Sequence, residues 1–275
     1  MKPQIKIVTK KDNDYQHIEV LSRNRYKRFQ HKEIFVEGVT PINRAIENGW
    51  DILYYIYSNY HQLSDWAKGI LVKSTAKKHF ELPEDYMMEI SDKEEPSELI
   101  AIVAMPEDDL SRINLSENPL IAVFDRPSDP GNLGTIIRSC DAMEVDGLII
   151  TGHCVDLYDP KVIRSSIGTI FTLPVIKLES HKELLPWFAD IRETYQGFQV
   201  VGTSVHTDSL VYQSDFIKPT AIIIGNETYG MSSSYRDISD YIYKIPITGS
   251  ASSLNVACAT SIVLYEIARQ RSGII

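Results

Sequence analysis

Residues 121–139 read IAVFDRPSDPGNLGTIIRS, and this stretch sets how the chain around it folds. IAVF (121–124) is an apolar run of strand length. From Asp125 it gives way to a tight turn holding two prolines, two glycines and an asparagine, and the turn opens a helix over 133–143. A strand that runs through a turn into a helix is the first half of a βαβ unit. The alternation continues downstream. GLII (147–150), LPVI (173–176), FQVV (198–201), AIII (221–224) and YKI (243–245) read as strands, with helices over 181–193 and 255–271. The last helix carries Val256, Ala259, Ile262, Val263 and Ile267 at helical spacing, a face for packing. Upstream, IFVEG (34–38) reads as a strand entering a turn. Thr40 then serves as an N-cap, Pro41 as the first helical residue, and Gly49 closes the helix. ILYYIY (52–57) is a strand, 62–72 a helix, and LIAIVAM (99–105) a buried strand after the acidic stretch 91–96. MPEDDLSRINLSENP (105–119) has few large apolar side chains and reads as the linker between two α/β blocks with mainly parallel sheets.

Two blocks also suit a length of 275 residues, since a domain averages roughly 150. With 43% hydrophobic and 24% charged residues the composition is that of a globular protein, which excludes disordered, collagen-like and disulfide-scaffold classes. The longest apolar run, Leu99–Met105, is seven residues. A membrane span needs about 20. The N-terminus has no apolar core of a secretory signal, so a cytoplasmic location is expected. Cys140, Cys154 and Cys258 are widely spaced without a C-x-x-C pair, which argues against disulfides and a metal site. Cys258 reads as a small core residue.

The net charge of −9 opposes a polyanionic partner, but its distribution does not. Between Lys2 and Lys32 nine bases face three acids, whereas from Asp51 to Arg112 six bases face thirteen acids. The basic block is either a solvated face or a contact for a polyanion.

Ligands of open α/β sheets bind at the carboxyl ends of strands, so three loops that follow strands carry the functional reading. The first, 125–139, has Asn132, Gly134 and Arg138, and lacks both the dinucleotide G-x-G-x-x-G and the P-loop pattern. Alone, it also reads as a turn and helix cap with a surface arginine. The second, IIIGNETYGMS (222–232), sets Glu227 between Gly225 and Gly230, beside Asn226. The third, IPITGSASSLNVACA (245–259), leads into a helix starting near Ser253 or Leu254, with Ser253 an N-cap candidate. Asn255 in a first turn is a mediocre helix former, which hints at a side-chain role.

Together the loops resemble the three motifs of the SpoU group of SPOUT RNA methyltransferases. The first is N-x-G-x-x-x-R (Asn132, Gly134, Arg138) and the second G-x-E-x-x-G (Gly225, Glu227, Gly230). The third is I-P-I followed by S-L-N-V (Ile245, Pro246, Ile247; Ser253, Leu254, Asn255, Val256). DPKVIRSSIGTIFTLPV (159–175) is similar to the group's intervening segment, and NRYKRFQHKEIFVEGV (24–39) to its ribosomal-protein-like substrate-binding domain.

The resemblance implies an α/β fold: an RNA substrate-binding domain over 1–113, then a methyltransferase domain over 118–275 closed by a trefoil knot. It implies S-adenosylmethionine as cofactor, contacted by Gly225, Asn226, Ile245, Ile247, Leu254 and Thr203. The reaction implied is methyl transfer to a ribose 2′-hydroxyl of RNA, with ribosomal RNA favoured over tRNA. Catalytic work falls to Arg138, with Asn132, Glu227, Ser253 and Asn255 around it. A homodimer through the knotted domain completes each site. Arg25, Lys27 and Arg28, beside Tyr26, and Arg164 are the expected RNA contacts. No metal and no membrane partner are expected. The alternatives are the same reaction on tRNA, or a non-catalytic RNA-binding or ribosome-assembly protein of the same fold.

Overall fold

The computed structural model describes residues 3–91 and 93–273, apart from the side chain of Tyr60. Lys2 of the basic block and Asp92 of the acidic stretch lie outside them. The chain forms two compact units. One holds the residues up to Glu107 together with Tyr158–Thr172, and the other holds Asp108–Leu157 and the chain from Leu173 onward.

The first unit is built on strands β1 (Gln4–Ile7), β2 (Glu33–Glu37), β3 (Ile52–Tyr57), β4 (Lys78–Glu81) and β5 (Leu99–Ala104). Their order is β1-β4-β3-β5-β2. β1, β4 and β3 run parallel, but β5 is antiparallel to both β3 and β2, so this sheet is mixed rather than mainly parallel. Helices α1 (Asn13–Arg23), α2 (Arg25–His31), α3 (Val39–Glu47), α4 (Asp65–Lys73) and α5 (Glu84–Ile90) accompany the sheet. α1 is fixed by its sequence: Asp12 caps the amides of Asp14 and Tyr15, and Tyr15, Ile18 and Leu21 fall on one buried face. They join Phe35, Ile56, Phe80, Ile100 and Ile102 in one core. Thr40 is not a cap. α3 starts two residues earlier from Gly38 at φ 108°, and Pro41 sits inside the first turn, where its missing N–H costs nothing.

The segment from Tyr158 to Thr172 belongs to this unit as well. It contains helix α7 (Pro160–Ser165), and Asp159 both caps α7 at the Lys161 amide and lies 3.8 Å from Arg28. The Trp50 indole donates to the Phe171 carbonyl at 2.8 Å and meets the Phe171 ring edge-on.

The second unit carries β6 (Leu120–Asp125), β7 (Gly147–Thr151), β8 (Val175–Leu178), β9 (Gln199–Thr203), β10 (Thr220–Ile224) and β11 (Tyr241–Tyr243). All are parallel, in the order β11-β9-β10-β6-β7-β8. The helices are α6 (Pro130–Ala142), α8 (Leu184–Thr194), α9 (Ser233–Ile238) and α10 (Val256–Arg271), with α10 packed on α6. Ile121, Val123, Ile149, Val200 and Ile223 lie in the core, which is why each central strand reads as an unbroken apolar run. The expected linker is only partly one, since Ile113 is buried in this core. On α10 the buried face is Ala257, Thr260, Val263, Leu264 and Ile267. Ile262 is exposed, as is Cys258, contrary to the sequence expectation for both. All three cysteines are free, and among the described residues no helix is long and apolar enough to cross a membrane.

Candidate active site

The order of the second sheet locates the site. From β6 the chain steps outward through β7 and β8, then returns to the far side with β9 and β10, so β6 and β10 are neighbours across the reversal. The loops that leave their carboxyl ends therefore emerge side by side, the usual position of a ligand crevice.

The loop after β10 is held tightly. Gly225 has a normal backbone, but a Cβ there would lie 2.3 Å from the Met231 nitrogen and 2.5 Å from the Gly230 carbonyl carbon. Both obstacles are backbone, so neither can swing away. Asn226 pairs through its own N–H and C=O with Gly230, and its side-chain oxygen accepts from the amides of Thr228 and Tyr229. Its side-chain amide donates to the Arg126 carbonyl at 2.7 Å, which ties this loop to the one after β6. Glu227 makes the second tie: its carboxylate accepts from the Ser128 hydroxyl at 2.6 Å and from the amides of Ser128 and Asp129. The carboxylate between two glycines thus joins two loops. We expect Gly225→Ala to destabilise the protein by about 1–3 kcal/mol, the usual cost of overpacking, read as a lowered melting temperature. An unchanged melting curve would show that the loop is looser than these distances require.

In the loop after β6, Asp125 is buried and grips the Arg126 guanidinium through two 2.9 Å bonds while accepting from the Ser232 amide. Donating these hydrogen bonds to Asp125 raises the guanidinium's pKa above its ordinary value, against the opposing effect of burial. Arg126 itself adopts φ 51°. Asp129 then caps α6 at the Asn132 amide, with Pro130 in the first turn. Asn132 accepts at its side-chain oxygen from the Asn255 amide group at 3.0 Å. Asn255, not Ser253, is the N-cap of α10, accepting from the amides of Ala257 and Cys258. One asparagine pair thus links the starts of two packed helices.

Between the loops after β9, β10 and β11 lies a cavity of about 310 Å³. Thr203, Gly225, Asn226, Ile245, Ile247 and Leu254, the six residues expected at a cofactor, all line it, together with Glu227 and Ser253. Sequence reasoning missed Ile222, Ile224 and Val263, which with the motif residue Val256 form the aliphatic side of the same cavity, and Tyr229 and Arg236. The strand and helix patterns marked the three missed aliphatic residues only as core. From Ile245 to Leu254 no peptide group hydrogen-bonds another described residue. Those donors and acceptors, set against aliphatic walls, fit a flat heteroaromatic ring with a polar edge, such as the adenine of S-adenosylmethionine. Among the described residues, no group of three or more His, Cys, Asp or Glu is placed to hold a metal ion.

Asn132, Arg138 and Asn255 do not line the cavity. Arg138 stands exposed on α6, and among the described residues its guanidinium has no hydrogen bond or ion pair. Of the expected RNA contacts, Arg164 is exposed, while Arg25 and Lys27 are half-buried beside an exposed Tyr26. Arg28 corrects the expectation. It is 1% exposed and donates to the Leu21 carbonyl at 2.6 Å, so it is a structural cation with no surface to offer RNA.

Comparison with known proteins bears on this arrangement. The model of the SpoU rRNA Methylase family matches residues 119–265, and that of the SpoU L30e-like domain matches 12–101. The chain is 42% identical over 270 residues to the 23S rRNA (uridine(2479)-2′-O)-methyltransferase of Streptomyces viridochromogenes, covering 98% of this chain and 94% of that protein. It is 30% identical over 186 residues to the 23S rRNA (guanosine(2553)-2′-O)-methyltransferase RlmP of Bacillus subtilis, covering 68% and 71%. Among solved structures, the SpoU methyltransferase AviRb from Streptomyces viridochromogenes in complex with AdoMet superposes with a TM-score of 0.90 at 43% identity, over 95% and 98% of the chains.

Proposed function

Because the chain belongs to the SpoU rRNA Methylase family, we infer that it is an S-adenosylmethionine-dependent enzyme that methylates a ribose 2′-hydroxyl of 23S-type ribosomal RNA. The observation that carries this reading is the single cavity at the strand ends, on which the six expected cofactor residues converge beside open peptide groups. Thr203, Gly225, Asn226, Ile245, Ile247 and Leu254 are the residues proposed to hold the cofactor. When bound, it supplies a methyl group on a sulfonium, an electrophile that needs alignment more than activation.

The 2′-hydroxyl is a weak nucleophile, so the residues of this chain must favour its developing negative charge. We assign that to Arg138. An arginine stays protonated, so its role is to stabilise the alkoxide while solvent or an RNA phosphate takes the proton. Asn132, Glu227, Ser253 and Asn255 are positioning residues in this reading. The Asn132–Asn255 bond and the Glu227 tie support it, because they fix the loops that frame the cavity.

Arg138 does not line its own chain's cavity, and Leu254, Ile262 and Tyr265 leave apolar surface exposed around α10. Both facts support a homodimer through the second unit, in which a second copy completes the site. We further propose that the stretch from β11 to α10 is threaded as the family's trefoil knot, and that the protein acts in the cytoplasm. Residues 1–113 are proposed to capture RNA, with Arg25, Lys27 and the exposed Tyr26 as contacts and Arg164 joining them from the 158–172 segment of the same unit, and the rest of 118–275 to carry out transfer. The test is tritiated-methyl transfer to separate ribosomal RNA and tRNA fractions, with the protein's mass in solution measured alongside. Label in ribosomal RNA from a dimer is expected. Label in tRNA alone would overturn the substrate, and a fully active monomer would overturn the shared site.

A further inference from the structure

In the loop after β10 almost every polar group is committed, yet one large side chain is not. Tyr229 is 79% exposed, and among the described residues its ring has no aromatic partner and its hydroxyl no hydrogen bond. This is not the freedom of a loose loop. The Tyr229 amide is held by the Asn226 side chain, the next residue closes a two-bond pair with Asn226, and Gly230 takes φ 66° to make the turn. A rigid backbone thus presents a ring to solvent at the rim of the cavity, which Tyr229 helps to line.

Two guanidinium groups belong to the region of the ring. Arg126 lies within electrostatic range of the Tyr229 phenol, oriented by its two bonds to Asp125. Arg236 lines the same cavity and spends its Nε on the Met231 carbonyl. The nearest acid of the loop, Glu227, has its carboxylate turned to the Ser128 and Asp129 amides. A flat exposed ring with guanidinium groups about the same cavity mouth is the chemistry that receives an unstacked base and its phosphate. The inner wall of the cavity, by contrast, is aliphatic.

We propose that Tyr229 is a positioning residue for RNA, a stacking platform for a base at or next to the methylated nucleotide, with Arg126 and Arg236 beside it for the phosphate. This rests on the methyltransferase reading above. A ring carried on a held backbone has only its side-chain torsions left to lose on stacking, so it can hold the target ribose at the methyl donor rather than merely add affinity elsewhere.

The test compares wild type with Tyr229→Ala and Tyr229→Phe, using a 23S ribosomal RNA transcript as substrate and S-adenosylhomocysteine as calorimetric probe of the cofactor cavity. Tyr229→Ala is expected to raise KM for RNA by roughly tenfold or more, the scale of one lost base–aromatic stack. Its affinity for S-adenosylhomocysteine and its melting temperature are expected to match wild type. Tyr229→Phe keeps the ring and is expected to keep KM. An unchanged KM in Tyr229→Ala overturns the proposal. So does weakened S-adenosylhomocysteine binding, which would place the ring against the cofactor instead. Wild type that binds S-adenosylhomocysteine but methylates no RNA would sink the underlying reading, and the platform with it.

Discussion

Arg138→Ala is expected to lower methyl transfer by about 10²–10³-fold, the loss that follows removal of one donor to a developing oxyanion. S-adenosylmethionine affinity is expected to stay unchanged, because Arg138 does not line the cavity. The fold is expected to survive as well. The side chain is exposed on α6 and has no hydrogen bond or ion pair among the described residues, so truncation leaves no orphaned partner. Arg138→Lys keeps the charge but not the planar fork, and should recover only part of the rate. Single-turnover rates with calorimetry on the same preparations check all three statements. Turnover close to wild type in Arg138→Ala would remove Arg138 from the mechanism.

The second large effect concerns stability. Arg28→Ala is expected to destabilise the first unit by about 3 kcal/mol, the low end for breaking a buried charge pair. The low end applies because Asp159 is one-third exposed and its carboxylate sits 3.8 Å away, so water can partly replace the lost cation. The Leu21 carbonyl, bound at 2.6 Å, has no such relief. Asp159 also caps α7, so its release should loosen the segment that carries Phe171 under Trp50. Arg28→Met, which keeps the volume, should lose less. Denaturant titration measures the loss. A variant with unchanged stability but weaker RNA binding would restore Arg28 to the surface role the sequence suggested.

That residue shows where sequence reading ends. Arg25, Lys27 and Arg28 look alike in a basic helix, and nothing local says that Asp159 returns beside Arg28. The same long-range closure puts Tyr158–Thr172 in the first unit although its sequence lies between β7 and β8. The antiparallel course of β5 was equally hidden, since apolar runs carry no direction. The cavity was more legible. The sequence physics supplied only that loops after parallel strands gather at one end of the sheet; the resemblance to the SpoU group then named Gly225, Asn226, Ile245, Ile247, Leu254 and Thr203, and all six line the cavity found there. Asn255 was singled out as odd in a helix, and it proved to be the cap itself. Tyr229 escaped notice because a loop tyrosine is unremarkable until its exposure and its fixed backbone are known.

The central claim is chemical: the methyl group goes to ribose oxygen. The direct measurement is to methylate 23S ribosomal RNA with labelled S-adenosylmethionine, digest it to nucleosides and identify the labelled species by mass spectrometry. The account predicts one 2′-O-methylnucleoside carrying the label. Label on a nucleobase instead would contradict it.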